Sequence, residues 1–143
     1  MDVRVTVTGT QFLDGQEDVV EQGFTGTLEP TADGFRLAYT DEEEHTVTSL
    51  YLRRGQVLVE CTGARRSRMV LSPQRRWSGY YQTAYGEWPL ETETRELTIA
   101  LTAQGGTIAF SYTLWLGGAE TGQHTVRLTI VPAPTGNTTN IRP

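Results

Sequence analysis

The chain reads as one all-β domain, a closed antiparallel barrel of about eight to ten strands. Three observations lead there. Apolar and polar residues alternate with a period of two in segment after segment, glycine-marked turns separate those segments, and no stretch of the 143 residues carries a convincing helical period. Successive hairpins run up and down without long crossovers. Closing them into a cylinder removes the exposed edges that so many amphipathic strands would otherwise present. A barrel of this size has an interior that is either filled by side chains or able to hold one small ligand.

Val3, Val5 and Val7 against Arg4, Thr6 and Thr8 make the first strand, and Asp14-Gly15-Gln16 turns it. Residues 19–28 carry no helical period. Gly23 and Gly26 would each weaken a helix by about 1 kcal/mol, so this segment is a strand that bends. Ala32-Asp33-Gly34 is a tight hairpin turn, because Asp-Gly readily supplies positive φ. It feeds the strand at 35–39, and the acidic run Asp41-Glu42-Glu43-Glu44 links that to another at 46–52. Arg54-Gly55 turns into 57–61, and after Gly63 a strand at 66–71 runs to Pro73, which ends it for want of a ladder N–H.

The densest aromatic stretch, 80–94, centres on Gly86, read as a sheet corner between two β-segments that a residue without Cβ permits. Residues 96–102 alternate cleanly, Gly105-Gly106 turns them into 107–114, Gly117-Gly118 opens the last loop, and 125–130 is the closing strand. The domain thus spans 1–132, with 133–143 a polar Pro/Thr/Asn tail that has nothing to bury. Asn137-Thr138-Thr139 matches a glycosylation triplet, a chance match without a secretion signal.

A net charge of −5 and a pI near 5.0 repel phosphate backbones, so no nucleic-acid partner is expected. Cys61 stands alone, which excludes an internal disulfide and fits a reducing compartment. The N-terminus alternates from its third residue instead of forming a signal peptide, and no apolar stretch approaches membrane-spanning length. The expectation is a cytoplasmic protein with no membrane partner. All 12 basic residues are arginine. Their planar forks suit carboxylate or phosphate, but genomic nucleotide bias is the simpler account, given how evenly many of them fall on strand faces.

Tyr81-Gln82-Thr83-Ala84-Tyr85-Gly86, followed by Thr94, resembles the Tyr-x-Thr-Pro-Tyr-Gly segment of the YwiB family of uncharacterised bacterial β-barrel proteins. Gln11, Gly26, Tyr39 with Asp41, Gly63, Met69, and Gly106 with Tyr112 fall where that pattern has like residues, so the match spans most of the chain. Ala84 stands where the family usually has Pro, Cys61 where it favours Arg, and Asp41 where it has Glu. A cation–acid pair at the last two positions would lack its cation here. The resemblance implies a calycin-like (lipocalin-like) barrel. Calycins often bind small apolar ligands, an implication that lives at the level of fold. The lipocalin Gly-x-Trp signature is absent.

Tyr39, Tyr81, Thr83 and Tyr112 are candidates to point inward, each with an apolar body and a polar tip, the mixture of a selective pocket. A packed barrel with satisfied hydroxyls accounts for them equally well. Arg65, Arg66, Arg68, Arg75 and Arg76 flank one hairpin, a concentration of forks suited to an anion at the barrel rim; the plainer account is a surface patch balancing nearby acids. Glu42, Glu44 and His45 read as a solvated hairpin tip, and with His124 the only other histidine no metal set emerges. Glu91 and Glu93 share a strand face as ordinary alternation requires. Cys61 reads as a buried, inert thiol.

Two functional readings remain. One is a non-enzymatic module with a small molecule, anionic if the arginines take it, at the barrel mouth. The other is a structural or interaction protein with a filled barrel acting through its exterior or a homodimer interface. No nucleophile with a base, no metal-ligand set and no phosphate-cradling loop argues for an enzyme, and no cofactor is expected.

Overall fold

With an apolar residue at every second position, β1 (Asp2–Leu13) turns Val3 and Val5 into the interior, both 0 % exposed, and Arg4 outward. The computed structural model describes residues 1–73 and 75–134. The elements that follow are β2 (Gln16–Thr31), β3 (Gly34–Asp41), β4 (Thr46–Arg53), β5 (Gln56–Gly63) and β6 (Arg66–Leu71). Then come β7 (Arg76–Thr83), β8 (Gly86–Thr102), β9 (Gly105–Leu116) and β10 (Ala119–Pro132). Each strand pairs with its neighbours in sequence, and β1 pairs β10 antiparallel to close the cylinder. This is the closed antiparallel order expected, with ten strands. No helix among the described residues is long and apolar enough to cross a membrane.

One end of the cylinder is dry. Leu37, Leu50, Leu52, Val57, Leu71 and Ile108 meet there, each at most 2 % exposed. Burying each side chain contributes about 1.5–3 kcal/mol, and a one-residue slip of any strand would turn its whole apolar row outward. The register is therefore strongly specified.

Turn chemistry departs from expectation in three places. Ala84-Tyr85 reverses the chain in a hairpin, with Thr83 opposite Gly86, so the aromatic stretch is a hairpin tip and not a sheet corner. Gly34 owes its identity to space: a Cβ there would overlap the Leu52 carbonyl across the sheet, and its φ is not positive. Gly105 and Gly106 begin β9, after a turn at Ala103-Gln104. By contrast Asp14 (φ 53°) and Gly15 (φ 77°) form the hairpin turn expected of Asp-Gly. The polar segment from 135 onward, with the triplet at Asn137, lies outside the described residues.

Besides a register shift between Glu120 and Gln123 on β10, two irregularities at β8 shape the cylinder. A bulge between Thr94 and Glu96 lets β8 run as one strand while its inward parity shifts from Leu90, Thr92 and Thr94 to Leu97, Ile99 and Leu101. Next to it, β6 and β7 pair only from Arg66 to Arg68, against Tyr80 to Gln82. Beyond that point β8 closes the seam with side chains. The Thr92 hydroxyl donates to the Val70 carbonyl at 2.8 Å, and the Ser72 N–H donates to Thr94 Oγ1 at 3.1 Å. Both threonines are buried, at 0 % and 2 % exposure. Thr92→Val keeps the volume but strands the Val70 carbonyl, and should lower the free energy of unfolding by about 1–3 kcal/mol in chemical denaturation. An unchanged midpoint would show that the seam does not depend on this bond.

Candidate functional site

Above the dry floor the inward rows pass to side chains with polar tips. Tyr39, Thr48, Cys61, Ser67 and Tyr81 are successive cross-strand partners, so alternation alone puts them on one inward rung. Thr83 continues the row on β7. Across the barrel, Tyr112 lies opposite Thr94 on one side and His124 on the other. Tyr39, Thr48, Ser67, Tyr81, Thr83 and His124 remain half-buried, while Cys61 and Tyr112 are 5 % and 7 % exposed. Thr83 serves its turn as well, Oγ1 accepting the Tyr85 N–H at 3.1 Å.

Aromatic rings tie this level together. Phe24 stacks on Tyr39 with centroids 4.9 Å apart, and Tyr112 lies 5.9 Å from Phe110 and 5.2 Å from the nearly parallel His124 ring. Burial, with the nearby Tyr39 phenol adding to it, pushes the Tyr112 pKa up to about 12. Burial also raises that of Tyr39, opposed in part by the Thr48 side chain. Tyr39 and Tyr81 thus end one inward rung of this band, Thr83 follows Tyr81 on β7, and Tyr112 lies across the barrel from Tyr39.

His124 is a member of this band that the sequence reading set aside. Thr121 Oγ1 lies 3.2 Å from the Leu114 carbonyl and 2.9 Å from His124 Nε2. A carbonyl only accepts, so the hydroxyl donates to Leu114 and receives the Nε2 proton, which fixes the neutral tautomer with Nδ1 as acceptor. Gln11 Nε2 donates to the Thr121 carbonyl at 2.8 Å and anchors the same corner. Burial lowers the His124 pKa below 6.5. The unfolded chain therefore takes up the proton first, and this group's stability, complete above pH 6.5, is lost as pH falls below that value and through the folded pKa. Thermal melts of wild type and His124→Gln should diverge in their pH dependence only below about 6.5. Parallel curves would show that the ring is not held neutral.

The arginines divide between two levels of the barrel. Arg66 and Arg68 lie exposed on the outer face of β6, and Arg65 in the turn before it. Arg75 sits over the Trp77 ring at 5.3 Å, and Arg76 sits over Trp115 at 3.8 Å with its Nε 3.1 Å from Glu91. Arg76 is four strand residues from Tyr80, the partner of Arg68, roughly 13 Å along the sheet. The structure does not bring the five guanidinium groups to one point. A cleft of about 770 Å³ opens beside the mouth between β2 and the β3–β4 turn, with Gln22, Phe24, Thr25, Thr40 and Asp41 among its walls. Others of about 300 Å³ lie by Phe35 and Leu97 at the floor and by Tyr51 and Leu58 on the outer wall. Tyr39, Tyr81 and Tyr112 line none of these three, but Phe24, stacked on Tyr39, lines the first.

The family model described as "Domain of unknown function (DUF1934)" matches residues 5–128. The chain belongs to this family. The matched span includes every mouth residue from Tyr39 to His124. The crystal structure of the YwiB protein from Bacillus subtilis resembles the DUF1934 barrel with a TM-score of 0.85. The two are 22 % identical, with 93 % of this chain and 92 % of that one covered. At that identity the likeness speaks for the fold, and it agrees with the resemblance read from the Tyr81 segment. No curated protein sequence matches the chain.

Proposed function

We propose that this DUF1934 barrel is a non-catalytic binding module that takes a small molecule at its mouth, against Tyr39, Tyr81 and Tyr112. One observation carries the reading: the interior is divided into an aliphatic floor and a wall of phenol, hydroxyl and imidazole groups, most of them half-buried. Inward-facing polar groups left partly open offer hydrogen bonds beside apolar ring faces, which suits a ligand of mixed character. The His124 Nδ1 lone pair adds an acceptor to a wall otherwise dominated by hydroxyls.

Native mass spectrometry of protein purified from its own host tests this. The expected result is a retained small molecule that denaturation releases, with occupancy reduced about tenfold by Tyr81→Ala, as loss of one ring contact and one hydroxyl implies. Identical native and denatured masses, under conditions that preserve the fold, would remove the ligand from the reading.

A further inference from the structure

The cylinder is closed only over part of its height. β2 continues past β3: its pairing with β3 runs from Thr31 to Gly26, whereas its pairing with β1 runs on to Gln16. Leu28 exchanges both backbone bonds with Met1, at 2.9 and 3.0 Å, and the β1–β2 register is unbroken from there. Antiparallel bonding alternates, so the even-numbered residues of β2 bond β1 and the odd-numbered ones point away. Thr27 meets Ala38 of β3. Glu17, Val19, Glu21 and Gly23 have no strand beside them among the described residues, and each aims an N–H and a C=O at open space. The 770 Å³ cleft lies along the near end of this edge, with Asp41, Glu42 and Glu43 on its far side. Val19 and Val20 on the edge are 59 % and 57 % exposed.

We infer that the β2 edge is a docking site for an extended segment of another protein, added as a further antiparallel strand and carrying cationic residues on either side of an apolar one. The side chains select that occupant. On one face the edge presents Glu17, Val19 and Glu21, so a guest strand with a cation, an aliphatic residue and a cation at alternate positions places an opposite charge or an apolar partner across from each. Asp18 and the acidic β3–β4 turn add to the same field. A second copy of this chain is disfavoured, since β2 against β2 would bring Glu17, Asp18 and Glu21 of both copies together. The site lies on the outer edge and does not rest on the mouth reading.

The test is titration of the full-length protein with a capped peptide built on Arg-Thr-Val-Thr-Arg and its Glu-Thr-Val-Thr-Glu counterpart, read by amide NMR and hydrogen exchange. The basic peptide should bind, weaken as salt is raised, and protect the amides of Val19, Glu21 and Gly23. Val19→Pro removes an N–H that faces the guest and not β1, so it should abolish protection while the melting temperature is nearly kept. The double variant Glu17→Arg/Glu21→Arg should reverse the preference, favouring the acidic peptide about tenfold, and it covers the case in which the proline disturbs the strand. Equal or absent binding of the two peptides would overturn the inference. So would protection elsewhere, or a concentration-dependent dimer that Val19→Pro dissociates, which would assign the edge to a second copy.

Discussion

Leu37→Ala should lower the free energy of unfolding by about 2–5 kcal/mol, near the upper end of that range, while Val47→Ala on the outward face of the neighbouring strand changes it by less than about 0.5 kcal/mol. Leu37 is 0 % exposed, and Gly34, three residues before it at the start of the strand, already brings β3 and β4 as close as backbone allows there. Its cross-strand partners are Leu28 and Leu50, both 2 % exposed, so the lost methyl groups leave a hole walled by residues with no solvent side to retreat to. A strand in a closed barrel is bonded on both edges, which prevents the inward collapse that softens such substitutions in looser cores. Val47 sits at 38 % exposure on the outer wall and gives the same chemistry without the cavity. Urea unfolding of the three proteins checks this directly. A Leu37→Ala midpoint indistinguishable from wild type would mean that the aliphatic floor does not hold the barrel closed.

The second large effect is alkaline. In the fold the Tyr112 phenol gives up its proton only near pH 12, whereas in the unfolded chain it does so near 10.0. Above pH 10 the unfolded state is therefore the one that ionises, and stability falls as pH rises through that window, levelling once the folded phenol titrates. Two decades of proton affinity correspond to a loss of up to about 3 kcal/mol, a large share of the roughly 5–15 kcal/mol that holds a domain together. Tyr39, raised in the same direction, steepens the fall. Tyr112→Phe should unfold at higher pH than wild type, with the missing tyrosinate absorbing last in a spectrophotometric titration. If the variant and wild type lose structure at the same pH, Tyr112 is not held neutral by burial.

Strand after strand was legible because a half-buried strand must alternate, and Val3 to Val7 or Leu97 to Leu101 leave little choice. Tyr39 and Tyr112 were legible inside the barrel for the same reason. The role of Thr92 and Thr94 was not: nothing local distinguishes a threonine that hydrogen-bonds a strand two removed from one that faces water. The parity change from Thr94 to Leu97 is written in the sequence and marks the bulge at Arg95, a signal that reading the segment as separate strands passes over. The aromatic run around Gly86 misleads in a different way. Its apolar density suggests a buried corner, yet Tyr85 is 94 % exposed at a hairpin tip, because a two-residue turn leaves one side chain outside whatever its character.

Alternation and turn residues alone determined that this polypeptide is a meander of strands with Tyr39, Tyr112 and the core aliphatics turned to the same side, since a period of two admits no other secondary structure. Which strands lengthen past their neighbours, which seam is closed by hydroxyls and which edge stays open were decided only by the closed cylinder. Those features depend on how far each pairing extends, and pairing length is a contest between distant residues that no local pattern records.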